Sequence, residues 1–205
     1  MSNLILHEYA ASGNCYKIRL TAAHLGIALE RREYDILSGE TRTPAFLAEV
    51  NANGRIPVLQ VGDDFLPESN AACVYLAHGS ALIPEDRFDH ADMFRWLFWE
   101  QYNHEPNVAT LRFWRRYIGD ERLTGAQRAQ VPVKEAAAHG ALALMDAHLA
   151  RAEWMAATRF TLADIALYAY THVADEGGIA LTRYPNVGRW LARVEALPGH
   201  VEMLR

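Results

Sequence analysis

The sequence predicts an α/β domain with a mixed four-stranded sheet, followed by an all-α domain. Two observations favour this fold class. In residues 1–79, short apolar runs alternate with helical patterns in the order strand, helix, strand, helix, strand, strand, helix. Beyond residue 87 the strand signal disappears and only helical patterns remain. We therefore expect a first domain at residues 1–79, a linker at 80–87 and a helical domain at 88–205.

The first three elements follow from the spacing of their apolar residues. Residues 4–7 have the sequence Leu-Ile-Leu-His, which is typical of a short buried strand. A helical pattern begins at Asn14 and should end at Gly26, because glycine is favoured immediately after a helix. Residues 29–36 predict a second strand with charged side chains on one face.

The next elements are marked by capping and turn residues. Thr43 followed by Pro44 is typical of an N-cap and the first position of a helix. Gly-Asp-Asp at residues 62–64 separates two apolar runs and predicts a hairpin. The elements predicted in this region are a helix at 43–50, strands at 58–61 and 65–66, and a helix at 69–78 that ends at Gly79.

The remainder of the chain predicts helices only. Residues 88–118 form a long helical pattern that Pro106 should kink near Glu105, because proline lacks the N–H that the helix requires. Thr161 and Asp164 form a capping box before an apolar run, and their expected role is structural. The other helical patterns cover residues 132–152, 161–174 and 187–196.

Composition narrows the class of protein. The 205 residues are 51% apolar, which suits one or two compact domains. The net charge is −5 and no basic stripe is present, so the sequence gives no indication of a nucleic-acid or membrane partner. No apolar run approaches the ~20 residues that span a bilayer and no signal peptide is recognisable, so we expect a cytoplasmic protein. Cys15 and Cys73 have neither CxxC nor metal-ligand spacing, so no metal is expected.

Three short segments predict a ligand pocket. Pro57 precedes a strand-like run, where proline cannot donate to a sheet ladder; a cis Ile56–Pro57 bond, with the backbone of Ile56 facing a ligand, would resolve the conflict. Glu68–Ser69 begins a predicted helix, whose first amide groups are unpaired and bind anions. Ser12 lies at the matching place between the first strand and the first helix. Together these segments suit an extended small peptide with a carboxylate at one end.

Four motifs resemble those of the cytosolic glutathione S-transferase family, and the resemblance covers essentially the whole chain. The family implies a thioredoxin-like first domain that binds glutathione, a helical second domain that forms the second-substrate pocket, and a homodimer. Residues 12–20 and 100–106 are particularly similar to a bacterial branch with a serine-type glutathione site. The four motifs are residues 12–20 (SGNCYKIRL), 53–59 (NGRIPVL), 68–71 (ESNA) and 161–166 (TLADIA).

Ser12 is the residue to which the resemblance assigns catalysis. Its hydroxyl would donate to the glutathione sulfur and stabilise the thiolate, which is the nucleophilic form of a thiol. From the local sequence alone, Ser12 is equally an ordinary N-cap or turn serine. Tyr9 and Cys15 are the alternatives for the same role, because other branches of the family place a tyrosine or a cysteine near this turn.

The resemblance also assigns contacts with glutathione. The backbone of Ile56 would pair antiparallel with the cysteinyl part, and Pro57 in the cis form would keep that edge open. Ser69 and its amide would bind the γ-glutamyl carboxylate, and Glu68 would help to bind the ammonium group. The structural alternatives are a trans proline that begins an edge strand and a simple N-cap serine.

Further candidates complete the predicted site. Arg42 and Arg55 are candidates for binding the glycine carboxylate of glutathione, although an isolated surface arginine is usually only solvated. By the same resemblance, part of the kinked helical segment forms the second-substrate pocket. The residues expected to line that pocket are Tyr9, Tyr102, Asn103, Phe113 and Tyr117.

These observations favour a homodimeric glutathione S-transferase that activates glutathione as a thiolate for attack on a small electrophile, a reaction typical of detoxification. A glutathione-dependent disulfide or peroxide reductase on the same scaffold is one alternative. A non-catalytic glutathione-binding or interaction protein is another. The electrophile stays open, because the composition of a pocket does not determine its selectivity.

Overall fold

The structure is a computed structural model that describes residues 3–204. The chain separates into two compact units. The first unit consists of residues 1–81 together with 198–205, and the second unit is Leu82–Leu197. The predicted helical domain, 88–205, included the last eight residues, whereas the structure groups them with the α/β unit.

The first unit is built on one mixed sheet, which confirms the predicted fold class. Within residues 3–204 its strands are β1 (Leu4–Glu8), β2 (Glu30–Glu33), β3 (Val58–Val61) and β4 (Asp64–Pro67), in the spatial order β2-β1-β3-β4. Strands β1 and β2 are parallel, and the β1–β3 and β3–β4 pairs are antiparallel. The helices of this unit are α1 (Gly13–His24), α2 (Pro44–Glu49) and α3 (Ser69–Ala77).

Strand β2 is shorter than the predicted strand at 29–36. Its register pairs Ile5 with Glu30 and Glu8 with Glu33, so the ladder ends where β1 ends. One further hydrogen bond follows, from the Tyr34 amide to the Glu8 carbonyl at 2.8 Å. The Asp35 side chain then accepts from backbone amides of the next residues and turns the chain.

Helix α1 begins and ends with local signals present in the sequence. Ser12 is its N-cap, and the Ser12 Oγ accepts from the Cys15 amide at 3.4 Å. At the other end, Gly26 adopts a φ of 65° and the Ile27 amide donates to the Ala22 carbonyl at 2.9 Å. Such a left-handed residue after the last turn is a common helix ending, and glycine adopts it without a steric penalty.

The C-terminal segment at residues 198–204 packs on α1. The Tyr16 hydroxyl donates to the Val201 carbonyl at 2.6 Å, and the Tyr16 side chain is fully buried. The His24 Nδ1 lies 3.0 Å from the Pro198 carbonyl oxygen. The end of the chain therefore covers the helix that Ser12 caps, an arrangement that sequence reasoning did not identify.

The second unit is helical, as predicted. Within the described residues its helices are α4 (Arg87–Trp99), α5 (Glu105–Phe113), α6 (Gly125–Leu149), α7 (Leu162–Thr171) and α8 (Pro185–Glu195). Wider π-helical turns cover Glu100–His104 and Trp114–Ile118. No helix among residues 3–204 is both long enough and apolar enough to cross a membrane.

The two prolines of this unit have different effects. Pro106 lies in the first turn of α5, directly after the π-helical turn Glu100–His104, so the helical hydrogen bonding is irregular at the place of the predicted kink near Glu105. Pro132 lies inside α6, which begins at Gly125 rather than at the predicted residue 132. The earlier start is specified by a capping box in which the Gln127 amide donates to the Thr124 hydroxyl at 3.3 Å.

Helix α7 is buried along its whole length and is held by the predicted capping box. The buried Asp164 carboxylate accepts from the Thr161 amide, the Met155 amide and the Trp190 indole, each at 2.9 Å. Burial in an apolar surrounding raises the pKa of Asp164 to about 6, and these donors oppose that shift. The box therefore joins a helix start to a preceding loop and to α8.

Replacing Thr161 by alanine should lower the free energy of unfolding by about 2 kcal/mol, because a buried cap and a buried hydrogen bond to Asp164 are lost together. Thr124 occupies the same motif at the exposed start of α6, so Thr124→Ala is the matched control and should cost about 0.5–1 kcal/mol. Urea denaturation of both variants measures the difference. Equal losses would show that burial adds nothing at Thr161.

Candidate active site

The sheet brings three chain segments to one edge. The register pairs His7 with Val58 and Val58 with Pro67, so β1 and β4 end where β3 begins. The segments that follow or precede these strand ends are the turn at residues 9–12, the pair Ile56–Pro57 and the pair Glu68–Ser69. All three predicted parts of the pocket therefore lie at the same edge.

Ser12 closes the turn between β1 and α1. Its amide donates to the Tyr9 carbonyl at 2.9 Å, and its half-buried hydroxyl accepts from the Cys15 amide. The local interpretation of Ser12 as an N-cap is thus confirmed. A hydroxyl that accepts one hydrogen bond can still donate its own proton, whose direction follows rotation about the C–O bond, so capping and donation to a ligand are compatible.

Cys15 is placed for packing rather than for nucleophilic chemistry. Its side chain is fully buried, and its sulfur accepts from the Tyr9 amide at 3.4 Å. Burial raises the pKa of the Cys15 thiol to about 12, although hydrogen bonds from Ser12 and the Tyr9 amide act in the opposite direction. A thiol with such a pKa stays protonated at neutral pH and is inert.

The Ile56–Pro57 peptide bond is cis, one of the two isomers that the sequence allows. Ile56 precedes β3 and lies outside the ladder, which begins at Val58. Pro57 is buried, whereas Ile56 is half-buried and Arg55 is exposed. The backbone at Ile56 is therefore the part of this segment that lies at the boundary between the core and the surface.

The start of α3 carries a strained residue and a buried hydroxyl. Glu68 adopts a φ of 73°, a left-handed conformation that costs a non-glycine residue about 1–3 kcal/mol and that is found most often at functional sites. Ser69 is the first residue of α3 and is 5% exposed. Its hydroxyl donates to the Asn14 Oδ1 at 3.3 Å, so the starts of α1 and α3 are joined directly. Sequence reasoning did not identify Asn14 as a residue of the site. The available signal was that a polar side chain in the first turn of α1 lies close to Ser12.

The two candidate arginines differ in their attachment. The Arg42 Nη1 donates to the Asn53 carbonyl at 3.1 Å, and a Cβ at Gly54 would lie only 2.6 Å from the same nitrogen. Gly54 has a φ of 63°, so the glycine both permits the turn and leaves space for the arginine. The Arg55 side chain is exposed, and the Arg55 backbone carbonyl accepts a hydrogen bond from the Asn51 side chain at 2.9 Å.

Four of the five candidates for the second-substrate pocket lie on two π-helical turns and the helix between them, whereas Tyr9 lies in the turn after β1, in the first unit. Phe113 and Tyr117 form a ring pair with centroids 5.7 Å apart. The guanidinium groups of Arg112 and Arg116 lie 5.6 and 5.8 Å from the Tyr117 ring centroid. The exposed residues Tyr102 and Asn103 lie in the preceding turn, Glu100–His104. The structure therefore brings one pair of these candidates together within the second unit.

The described residues contain no group of three or more histidine, cysteine or acidic side chains arranged to hold a metal ion. His7 illustrates how the histidines are used instead. Its ring nitrogens lie 2.9 Å from the Tyr34 hydroxyl and 2.9 Å from the Gln60 Oε1, and burial lowers its pKa. It packs between strands as a hydrogen-bonded core residue.

Comparison with known proteins places both units in known families. Residues 2–78 match the family model described as "Glutathione S-transferase, N-terminal domain", and residues 107–198 match "Glutathione S-transferase, C-terminal domain". A crystal structure of a glutathione S-transferase from Pseudomonas fluorescens [Pf-5] is similar over 100% of both chains, with 42% identity and a TM-score of 0.93.

Two curated relatives show how far the names of similar proteins diverge. The chain is 31% identical to "Glutathione S-transferase 3" of Zea mays, over 97% of this chain and 91% of that protein. It is 24% identical to "Transcriptional regulator URE2" of Saccharomyces cerevisiae, over 98% of this chain and 67% of that protein.

Thiol titration tests the assignment of Cys15. At pH 8 a thiol with a pKa of about 12 has roughly a thousandfold less thiolate than one with the ordinary value of 9.0, so folded protein should react very slowly with a disulfide reagent. The same protein in denaturant should react quickly and provides the control. A fast-reacting thiol in the folded protein that disappears in Cys15→Ala would contradict this assignment.

Proposed function

Because the chain belongs to the glutathione S-transferase family, we propose that it is a glutathione transferase whose first unit binds glutathione and raises its thiolate fraction through Ser12. One observation carries the proposal: the Ser12 turn, Ile56–Pro57 and Glu68–Ser69 meet at one sheet edge. An extended tripeptide placed along that edge would meet a hydroxyl, a strand edge and a helix start in turn.

The start of α3 supports binding of the γ-glutamyl end. The first amide groups of a helix have no partner within the helix and attract a carboxylate. Ser69 adds a hydroxyl there, held in place by its bond to Asn14. The exposed Glu68 carboxylate lies beside this site and would pair with the ammonium group, while its left-handed backbone aims the chain into α3.

The cysteinyl and glycine parts of glutathione also have candidate partners in the first unit. The backbone of Ile56, just outside the ladder, would pair with the cysteinyl part in the manner of an added strand. The glycine carboxylate would lie near the loop before Ile56. Arg55 is part of that loop, and Arg42 reaches the loop from the short 3-10 helix Glu40–Arg42. Arg42 is attached to that loop through the Asn53 carbonyl, so its position is the better defined of the two.

The energetics of thiolate formation are within reach of Ser12 and α1. A thiol of pKa ~8.5 is only about 3% ionised at pH 7, and lowering that pKa by two units requires about 2.7 kcal/mol. A hydrogen bond to a charged group supplies about 1.5–3 kcal/mol, and a helix N-terminus supplies about 0.3–1 kcal/mol more. The two together account for the shift, and proximity to a bound electrophile supplies the remainder of catalysis.

The second unit would bind the electrophile. Phe113 and Tyr117 form an aromatic pair, and Arg112 and Arg116 lie over the Tyr117 ring. Both guanidinium groups are also ion-paired with the Glu176 carboxylate, at 2.7 and 3.2 Å, so the aromatic pair itself is the surface that suits a flat apolar electrophile. Tyr102 and Asn103 remain candidates for this pocket, whereas Tyr9, which belongs to the first unit, stays a candidate from the sequence alone.

We also propose a homodimer formed through α4. His90, Phe94 and Phe98 recur every four residues on one face, and their rings form a continuous row with centroid separations of 5.1 and 6.2 Å. Phe98 is 70% exposed within this chain. An exposed aromatic row of this kind favours association with another protein surface, and a second copy is the occupant that the family resemblance implies.

Two other functions are alternatives on the same fold. A glutathione-dependent disulfide or peroxide reductase would use the same thiolate site and would need no cysteine from this chain. A non-catalytic binding or interaction protein is favoured by the similarity to "Transcriptional regulator URE2". Turnover of an aryl halide, of a mixed disulfide or of neither distinguishes the three.

Ser12→Ala should raise the pKa of the bound glutathione thiol towards the free value of ~8.5, because its hydrogen-bond donor is removed. Thiolate absorbance as a function of pH measures the pKa, and calorimetry measures glutathione affinity, which should change little. Thr124→Ala removes a comparable N-cap elsewhere and controls for loss of stability.

Two results would contradict this assignment. If the wild type does not bind glutathione, the proposed function is wrong. If glutathione binds and its thiol pKa is equally low in both proteins, the activating residue is another one, and Tyr9 becomes the next candidate.

Phe98→Asp should convert the dimer to a monomer, because the charge would be buried without a partner in the interface. Sedimentation velocity measures the change. Phe88, also exposed on α4, lies ten residues before Phe98, about 15 Å away along the helix and about 80° around it, so Phe88→Asp is the matched control and should leave the dimer intact. A dimer that persists in Phe98→Asp would place the interface elsewhere.

A further inference from the structure

A buried charge lies directly behind the turn that carries Ser12. Glu8 is the last residue of β1, and its side chain is fully buried. Its two carboxylate oxygens are ion-paired separately, one with Arg19 Nη1 and the other with Arg31 Nε. A buried ion pair often contributes little net stability, because desolvation of the charges offsets their attraction. The specific geometry of this pair therefore needs another explanation.

Arg19 holds a second group besides Glu8. Its Nη2 donates to the Ala10 carbonyl at 2.7 Å, and its side chain is only 9% exposed. The Ala10 amide in turn donates to the Glu33 Oε1 at 2.6 Å. Both the amide and the carbonyl of Ala10 are thus held by charged side chains, two residues before Ser12.

The same contact ties the turn to the helix that follows it. Arg19 lies two helical turns beyond Ser12 on α1, and it reaches back past the N-cap to the segment that enters the helix. The turn itself is closed by the hydrogen bond from the Ser12 amide to the Tyr9 carbonyl. The direction in which the Ser12 hydroxyl leaves this turn depends on the orientation of the preceding peptide groups.

We propose that Arg19 is a positioning residue for Ser12: fixed by Glu8, its guanidinium holds the Ala10 carbonyl and so orients the turn from which the Ser12 hydroxyl reaches the ligand sulfur. This inference rests on the proposed glutathione transferase function. Arginine suits the role because its planar fork bonds two acceptors at once, whereas lysine offers a single point charge.

Arg31 provides a matched control within the same cluster. Among the contacts described for residues 3–204, its side chain bonds the Glu8 carboxylate, as Arg19 does, but not the turn at residues 9–12. Removing either arginine leaves Glu8 with one cationic partner. Only removal of Arg19 also releases the Ala10 carbonyl.

The test compares Arg19→Lys with Arg31→Gln in the full chain. Arg19→Lys should raise the thiol pKa of bound glutathione by about one unit and lower kcat about tenfold below that pKa, with the loss disappearing at high pH, because one unit is a tenfold change in thiolate. Glutathione affinity should stay within about threefold. Arg31→Gln should leave the thiol pKa unchanged, even if its melting temperature falls.

A double variant shows whether Arg19 acts through Ser12. If it does, Arg19→Lys should not change the thiol pKa further in a Ser12→Ala background, since the group that it orients is already absent. Additive shifts would overturn the inference and indicate a direct effect of the Arg19 charge on the sulfur. Two other results would overturn the inference. One is an equal shift of the thiol pKa in Arg19→Lys and Arg31→Gln. The other is a thiol pKa in Arg19→Lys that equals the wild-type value.

The outcomes separate this inference from the proposed function. If Ser12→Ala shifts the thiol pKa and Arg19→Lys does not, only the positioning role is wrong. If wild-type protein fails to bind glutathione, both are wrong. If Arg19→Lys unfolds, the double variant Arg19→Gln/Glu8→Gln removes both charges together, and the thiol pKa of bound glutathione is measured in that variant instead.

Discussion

The antiparallel register of β1, β3 and β4 is the constraint on which the rest of the structure depends. Pairing His7 with Val58 and Val58 with Pro67 sets three chain segments at one edge of the sheet. A slip of one residue would also exchange the two faces of a strand, because successive side chains alternate between them, so the fully buried Leu6 and His7 would each meet the wrong neighbours. Fully buried Leu6 and Leu59, which are directly paired, therefore secure the register through the core and so secure the candidate site.

The starts of two helices contribute unpaired amide groups to that edge of the sheet. Helices α1 and α3 both begin there, and their first residues are joined by the bond between Ser69 and Asn14. The unpaired amides of a helix start favour negative charge, so one start suits a carboxylate and the other suits a thiolate. The left-handed Glu68 lies directly before α3, between β4 and this helix start. Local strain at the site is supported by the regular structure around it.

Two buried carboxylates illustrate different uses of burial. Asp164 is surrounded by neutral donors, and burial raises its pKa to about 6; none of the ion pairs described for residues 3–204 includes it. Glu8 is paired with two arginines, one of which also holds the turn before Ser12. The first arrangement stabilises a helix start in the second unit. The second provides a rigid support behind the candidate site, where a small displacement of a hydrogen-bond donor has a large effect on the chemistry.

The sequence by itself determined the order of strands and helices and the caps at Ser12, Thr43 and Thr161, whereas it left both isomers open for the bond before Pro57. These features are local, since each depends on residues within a few positions of one another. The role of Ser12 in catalysis stays a prediction. Only the tertiary structure decided the bond between Asn14 and Ser69, the contact of Tyr16 with Val201, and the place of Arg19 between Glu8 and Ala10. The first two contacts join residues that are far apart in the sequence and are brought together by the sheet register and by the return of the chain end to α1. The Arg19 contacts depend on how α1 packs back on β1, which the spacing of residues along the chain does not encode.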